Sequence, residues 1–223
     1  MGQLSIKNVS KKFSQILVLN SVTLRLTQGN MTALIGNNGC GKSTLLSVLS
    51  GQLKHDDGHI YLDGICIDST TIHERSKLGI ARMSQESRLW ESMSVAEHLL
   101  LVNSLYKLKQ INITNLMKVA NINKLTFSYL PNQLSLFERR RLELFMALIG
   151  SRFLLCDELG AGLSIIEARE LYDIVLKMVK CGWTESSLMI EHRQELLDEY
   201  CSEFFYLQNG VIKSNILPFN VIG

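Results

Sequence analysis

Apolar side chains follow two periodicities along this chain, and together they predict an α/β protein. Some segments alternate apolar and polar residues as half-buried strands do, and others are short continuous apolar runs typical of strands buried on both faces. The predicted strands lie at residues 3–8, 17–26, 31–35, 60–62, 65–67, 152–156, 187–190 and 204–207.

Helical spacing of apolar residues fills much of the chain between these strands. A short helix is predicted over 45–49, with Gly51 as its stop signal. Ser94 and Ser164 each precede a glutamate by three residues, the spacing of a capping box, and so predict helix starts. Helical patterning dominates residues 88–149, which predicts a helical subdomain inserted into the α/β core.

Composition indicates a single domain over residues 1–223. The chain has only two prolines, no low-complexity segment and 46% hydrophobic residues, enough for a sizeable core. The net charge of +2 argues against a nucleic-acid partner, and the basic run 139–141 is interpreted as a solvated helix face. The five cysteines are scattered without a C-x-x-C pair, so their spacing predicts neither structural zinc nor a disulfide framework.

Nothing in the sequence predicts a membrane span or a signal peptide. Apolar runs fall short of the length that crosses a bilayer, and the N-terminus lacks an apolar segment of the secretory type. We therefore expect a cytosolic chain that reaches a membrane only through a partner.

Residues 36–44 carry the strongest chemical signal in the sequence. They fit the pattern G-x-x-x-x-G-K-S between a predicted strand and a predicted helix, which is the context of a phosphate-binding loop. Backbone N–H groups and the helix N-terminus would hold phosphate, Lys42 would reach the β- and γ-phosphates, and Ser43 would bind Mg²⁺. The predicted nucleotide-binding residues of the loop are Gly36, Asn37, Asn38, Gly39, Cys40, Gly41, Lys42, Ser43 and Thr44.

A second signal is the acidic pair Asp157 and Glu158 at the end of an apolar strand. Carboxylates at the carboxyl ends of strands lie where an α/β fold places its site. We expect Asp157 to bind Mg²⁺, largely through water, and Glu158 to polarise the attacking water. Three further polar elements occur in a fixed order along the chain: Gln85, Ser135 at a predicted helix start, and His192 after a strand.

This order of elements resembles the ATP-binding cassette family, the ATPase subunits of ABC transporters, over essentially the whole chain. The resemblance implies a RecA-like P-loop NTPase core with an antiparallel β subdomain and the helical subdomain at about 88–149. It also implies that Phe13 stacks on adenine, Gln85 touches Mg²⁺ and senses the membrane partner, and His192 contacts the γ-phosphate. ATP and Mg²⁺ are the expected cofactors.

Two segments depart from the family's pattern. The signature Leu-Ser-Gly-Gly has both glycines replaced, by Leu136 and Phe137, next to Ser135. In the family this segment reaches across a head-to-tail dimer to the other subunit's γ-phosphate, so bulky side chains are expected to crowd it and slow hydrolysis. In residues 159–164, the family's proline and final aspartate are missing, which puts coupling between the two sites in doubt.

The resemblance favours a transporter ATPase in which ATP closes two cassettes and hydrolysis reopens them. Separately encoded transmembrane permease subunits are the expected partners, and the chain would lie at the cytoplasmic face of the membrane. A homodimer and a heterodimer with a second, normal cassette both remain open. The alternatives are a nucleotide-binding regulator with weak hydrolysis and a cassette protein that acts on nucleic acid or ribosomes.

Overall fold

The computed structural model describes residues 2–106, 117–122 and 125–214. The strands are β1 (Gln3–Phe13), β2 (Ile16–Thr27), β3 (Met31–Ile35), β4 (Asp57–Leu62), β5 (Ile65–Cys66), β6 (Ile80–Met83), β7 (Phe153–Asp157), β8 (Ser186–Ile190), β9 (Glu203–Gln208) and β10 (Val211–Ser214). The helices are α1 (Lys42–Leu49), α2 (Ile72–Lys77), α3 (Val95–Tyr106), α4 (Leu136–Leu148), α5 (Ile165–Lys180) and α6 (Gln194–Tyr200), with a 3₁₀ turn at Pro131–Gln133.

The strands form two sheets. The larger sheet has the order β10-β9-β3-β8-β7-β6, and its five strands from β9 to β6 run parallel. The smaller sheet has the order β2-β1-β4-β5 and is antiparallel. This is the expected α/β core with an antiparallel β subdomain. The strands β3 and β7 are parallel and are separated only by β8, so their carboxyl ends lie at the same edge of the sheet.

Two hydrophobic cores lie on opposite faces of the larger sheet. Alternate residues of β7 point to opposite faces, so Phe153 and Leu155 pack with the smaller sheet and α1, whereas Leu154 and Cys156 pack with the helices α3 to α6. The short apolar runs of β3, β7 and β8 are buried on both sides, which explains why they lack alternation in the sequence.

The predicted strands are all present, and so are the helices predicted from the capping boxes. Ser135 and Ser164 each accept a hydrogen bond from the backbone of the glutamate three residues on, and that glutamate's carboxylate returns to the serine backbone. The helices α2 and α6 and the strand β10 were not expected, and β6 was expected only as a strand-like segment leading to Gln85. The part of the predicted helical subdomain at 107–116 lies outside the described residues.

The interpretation of 139–141 as a solvated helix face is wrong for two of its three residues. Arg140 and Arg141 are each only 5% exposed. Arg141 forms an ion pair with Glu170 at 3.0 Å and lies 4.2 Å from the centre of the Phe137 ring. Both side chains are therefore held by partners within the fold rather than by solvent.

Among the described residues, none of the helices combines the length and the apolar character needed to cross a membrane.

Candidate nucleotide site

The phosphate loop joins the end of β3 to the start of α1. Glycine is required at two of its positions. A Cβ on Gly36 would lie 2.3 Å from the Leu207 carbonyl oxygen, and Gly41, the N-cap of α1, has a φ of 108°. The loop therefore passes close to β9 and then turns its backbone into the first turn of α1, where free N–H groups can hold an anion.

Lys42 curls back over this loop. Its side chain is buried, and its ammonium donates hydrogen bonds to the carbonyl oxygens of Gly36 at 2.6 Å and Asn37 at 3.1 Å. These bonds hold the loop in its curled form. The ammonium is thereby fixed above the concave face of the loop, where it could donate hydrogen bonds to the oxygens of a bound phosphate.

Asp157 ends β7 directly beside the loop. One carboxylate oxygen accepts a hydrogen bond from the Ser43 hydroxyl at 3.3 Å, and the other is paired with Arg82 at 3.1 Å. Burial lowers the pKa of the Arg82 guanidinium, and the charge of Asp157 offsets part of that effect. Asp157 is thus a fixed, largely buried carboxylate facing the hydroxyl at the start of α1.

Glu158 is the point at which the distant polar elements meet. Gln85 donates to one of its carboxylate oxygens at 3.0 Å, and Nε2 of His192 lies 2.9 Å from the other. Glu158 has a φ of 57°, an uncommon conformation for a residue with a side chain. This backbone turn directs the carboxylate into the cleft over the loop, where Gln85 and His192 hold it from both sides.

The cleft at the loop gathers most of the site residues expected from the sequence. Its lining consists of Asn38, Gly39, Gly41, Lys42, Ser43, Thr44, Asp157, Glu158, Ile190 and His192. Asn37 and Cys40 face an adjoining cleft, which is bounded also by residues 16–18 and 207–210. The structure thus brings loop, acidic pair and histidine together on one side of the larger sheet.

Four expected site residues line neither cleft. Gly36 still belongs to the loop, and Gln85 contacts Glu158. In the described part of the chain, Phe13 and Ser135 have no such link to the site.

Phe13 ends β1 next to Ile16, is 45% exposed, and has the Lys11 ammonium 5.7 Å from its ring centre. Ser135 is the N-cap of α4, and its hydroxyl is engaged with Glu138. Within the described part of one chain, neither residue lines the cleft at the loop.

The two bulky residues after Ser135 point in different directions. Leu136 is 47% exposed, and a Cβ on Gly162 would lie 3.0 Å from its Cδ2 atom. Phe137 packs partly into the core, with the Arg141 guanidinium over its ring. Leu136 is therefore the exposed residue of the two at the N-terminus of α4, whereas Phe137 packs against the core and Arg141.

Two arginines at the site, the half-buried Arg82 and the buried Arg140, were not found by sequence reasoning. Arg82 connects Asp157 with the Ser47 hydroxyl on α1. Arg140 donates to the carbonyl oxygens of Ser84 and Gln85 and forms an ion pair with Glu143 at 3.3 Å. Arg140 thereby ties the backbone of the Gln85 segment to α4.

Arg140→Met is expected to destabilise the fold by about 3 kcal/mol, because it leaves two carbonyl oxygens without their donor and removes the charged partner of Glu143. The Glu143 carboxylate keeps its hydrogen bonds from the Ser87 hydroxyl and the Arg88 N–H. Urea unfolding monitored by circular dichroism measures the change. Arg139→Met is the matched control: its side chain is 29% exposed with a 4.0 Å ion pair to Glu91, and a cost below about 1 kcal/mol is expected. Equal losses for the two variants would contradict a special role for Arg140.

The residues present fit a nucleoside triphosphate and its metal ion. The concave loop admits no Cβ at Gly36, and a buried ammonium lies over it. The Ser43 hydroxyl and the Asp157 carboxylate supply oxygen atoms, which Mg²⁺ prefers as ligands. The parallel sheet, the loop before a helix and the carboxylates at the next strand's end define a P-loop nucleotide-binding protein.

The family comparison places the chain within that class. Residues 19–160 match the ABC transporter family, and the chain belongs to it. The chain is an ATP-binding cassette of the ABC transporter ATPases, as the order of its motifs implies.

Curated relatives and solved structures agree with this assignment. The chain is 34% identical to the ribose import ATP-binding protein RbsA of Caldanaerobacter subterraneus over 95% of its length, although it spans only 44% of that protein. It is 30% identical to the probable branched-chain amino acid transport ATP-binding protein LivG of Methanocaldococcus jannaschii, covering 95% of this chain and 88% of that one. A nucleotide-free ATP-binding cassette from an ABC transporter superposes with a TM-score of 0.83 at 27% identity, covering 96% of this chain and 90% of the other.

Proposed function

We propose that the chain is the ATP-binding and ATP-hydrolysing subunit of an ABC transporter, acting as one unit over residues 1–223. The observation that supports this most is the convergence of Gln85 and His192 on Glu158 beside the phosphate loop. A phosphate-binding loop alone would serve many reactions. A carboxylate held by these two groups over the loop is suited to hydrolysis.

In the proposed reaction, a water attacks the γ-phosphorus, the bond to the bridging oxygen breaks, and ADP and inorganic phosphate leave. Glu158 takes the water's proton. One of its carboxylate oxygens contacts Gln85 and the other contacts His192, and each oxygen keeps a lone pair that can accept a hydrogen bond from that water. Lys42 and the N–H groups of the loop hold the phosphates in line. Bound Mg²⁺, held by Ser43, Asp157 and Gln85, would neutralise phosphate charge.

His192 and Gln85 are proposed to position Glu158 and to report the state of the nucleotide. His192 lines the cleft at the loop and contacts the Glu158 carboxylate, so we propose that it also contacts the γ-phosphate of bound ATP. Gln85 belongs to the segment joined to α4 through Arg140, so its contact with Glu158 connects the site to the helical part of the chain. Phe13, half exposed at the end of β1, is proposed to stack on the adenine ring.

Ser135 is proposed to act on the nucleotide held by a second cassette. It caps α4 outside the cleft of its own chain, so the N-terminus of α4 is available to a partner site. Two cassettes would close head to tail on ATP and reopen after hydrolysis. The dimer partner is a second copy or a different cassette, and permease subunits would carry the movement across the membrane. The name of RbsA, a ribose import protein, favours import.

Purification from gently solubilised membranes tests this proposal directly. Recovery of the chain with an integral membrane protein supports the transporter subunit, and a second, different cassette in the same complex supports the heterodimer. Recovery from the soluble fraction alone, or with ribosomes or nucleic acid, would overturn the proposed role.

Leu136 and Phe137 are proposed to slow hydrolysis by crowding the partner's γ-phosphate. The double change Leu136→Gly and Phe137→Gly is expected to raise ATP turnover by about tenfold or more, up to the hundredfold that one lost donor can cost. Steady-state phosphate release at saturating ATP measures the gain.

The single variants separate the effect on access to the α4 N-terminus from the effect on the stability of the fold. Leu136→Gly is expected to carry most of the gain because Leu136 is the exposed residue at the α4 N-terminus. Phe137→Gly removes a ring that packs on the core and on Arg141, so a lower melting temperature with little gain is expected. Unchanged turnover in all three variants would mean that the closed dimer accommodates both side chains.

A further inference from the structure

The hairpin of β4 and β5 carries a cluster of metal-binding residue types on one face. His59 and Tyr61 lie two residues apart on β4 and share a face, and Tyr61 is opposite Cys66 on β5. Asp68 lies in the turn after β5, and its carboxylate contacts His59 and the Ile60 N–H of β4. The antiparallel register thus brings together His59, Cys66 and Asp68, which are dispersed in the sequence.

Contacts within this cluster are close enough for a single ion. One ligand atom from each of His59, Cys66 and Asp68 lies within 4.8 Å of the other two. Nδ1 of His59 is 2.8 Å from one oxygen of Asp68. Ligands of tetrahedral zinc lie about 3.3–3.8 Å apart, so small side-chain movements would open the centre of this cluster.

A buried histidine supports the cluster from behind. His55 is 9% exposed, its Nε2 faces Asp68 at 3.5 Å, and its Nδ1 has no hydrogen-bond partner among the described residues. The other support is backbone: the Ile60 N–H donates to Asp68 at 2.7 Å. His55 and the Ile60 N–H therefore orient the Asp68 carboxylate before any ion binds, as the hydrogen-bond partners of metal ligands usually do.

We propose that His59, Cys66 and Asp68 form a binding site for a thiophilic divalent cation, of which Zn²⁺ is the best fit. The ligands are an imidazole nitrogen, a thiolate and a carboxylate oxygen, and the fourth position is open to water. The thiolate and the carboxylate balance the charge of the ion. A sulfur ligand disfavours Mg²⁺ and Ca²⁺, which take oxygen.

The site is separate from the nucleotide cleft, with which it shares no residue. Its His59 and Cys66 are exposed, which gives an ion an open path. Binding replaces the proton of the Cys66 thiol by the metal and releases that proton to solvent. An ion there would join β4 to the segment after β5 and so fasten the outer edge of the smaller sheet.

Cobalt and zinc titrations of the full chain test the site. The protein is stripped with a chelator, kept reduced without added thiols, and titrated with CoCl₂ in excess MgCl₂. One equivalent of Co²⁺ is expected to give a thiolate-to-metal charge-transfer absorption that ZnCl₂ then abolishes. Zinc calorimetry in buffers of different ionisation enthalpy is expected to show release of one proton.

Variants assign the ion to the hairpin. Cys66→Ser is expected to abolish the charge-transfer absorption and His59→Gln to weaken zinc binding about tenfold or more, whereas Cys181→Ser, which removes an exposed thiol elsewhere, is expected to change neither. Zinc is also expected to raise the melting temperature of the wild type but not of Cys66→Ser. Absence of the absorption, or its persistence in Cys66→Ser, would overturn the site.

Discussion

Glu158→Gln is expected to keep ATP binding and to lose about 10²- to 10⁴-fold in hydrolysis, the usual contribution of a general base. The amide preserves the shape of the carboxylate. Its oxygen can still accept from Gln85, and its N–H group can donate to a neutral His192, so both contacts seen with Glu158 survive. What disappears is the ability to take a proton from water.

Two measurements define this result. Fluorescent-nucleotide titration is expected to give an unchanged Kd, while phosphate release falls to the background rate. Because bound ATP is no longer consumed, the variant is expected to accumulate as a closed dimer in size-exclusion chromatography with ATP. Glu195→Gln, an exposed position on α6, is the matched control. Normal turnover in Glu158→Gln would refute its role as base and favour a regulator with negligible hydrolysis.

Lys42→Ala is expected to weaken ATP binding by about a hundredfold or more. The ammonium is buried against the loop and would make charged hydrogen bonds to phosphate oxygens, each worth about 1.5–3 kcal/mol. The change also frees the carbonyl oxygens of Gly36 and Asn37, so the loop loses its internal clamp. Binding is therefore expected to fall through lost contacts and through lost preorganisation.

Calorimetry with ATP and with ADP separates these two causes. Loss of contact with the γ-phosphate affects ATP more than ADP, whereas a disordered loop weakens both alike. Lys180→Ala at the exposed end of α5 is the control, and its Kd is expected to match the wild type. A wild-type affinity of Lys42→Ala for ATP would show that the loop does not hold the phosphates.

Sequence reasoning succeeded where structure is determined by local pattern. The strand β3, the loop after it and the start of α1 follow from a short apolar run and a glycine pattern that permits one backbone path. Ser135 and Ser164 identify helix starts because a capping box is complete within four residues. The α2 helix has the same signal at Thr71 and Glu74, and it could have been found in the same way.

The positions of Arg82 and Arg140 could not be predicted from the sequence. A lone arginine is expected to be solvated, and its burial depends on partners that only the fold supplies. Arg82 finds Asp157 across 75 positions of sequence, and Arg140 reaches the Gln85 backbone across 55. Family resemblance assigned Gln85, Glu158 and His192 to one nucleotide site, but it did not predict that Gln85 and His192 contact Glu158, because no local pattern encodes these contacts.

Arg140 has a mechanical consequence for the chain. Its guanidinium grips two successive backbone carbonyls, at Ser84 and Gln85, while its own backbone lies in the first turns of α4. In the proposed dimer, Gln85 contacts the nucleotide site of its own subunit and the N-terminus of α4 faces the neighbouring subunit. A displacement of the Gln85 segment is therefore expected to move α4, and a displacement of α4 to move the Gln85 segment, because the Arg140 side chain connects the two directly.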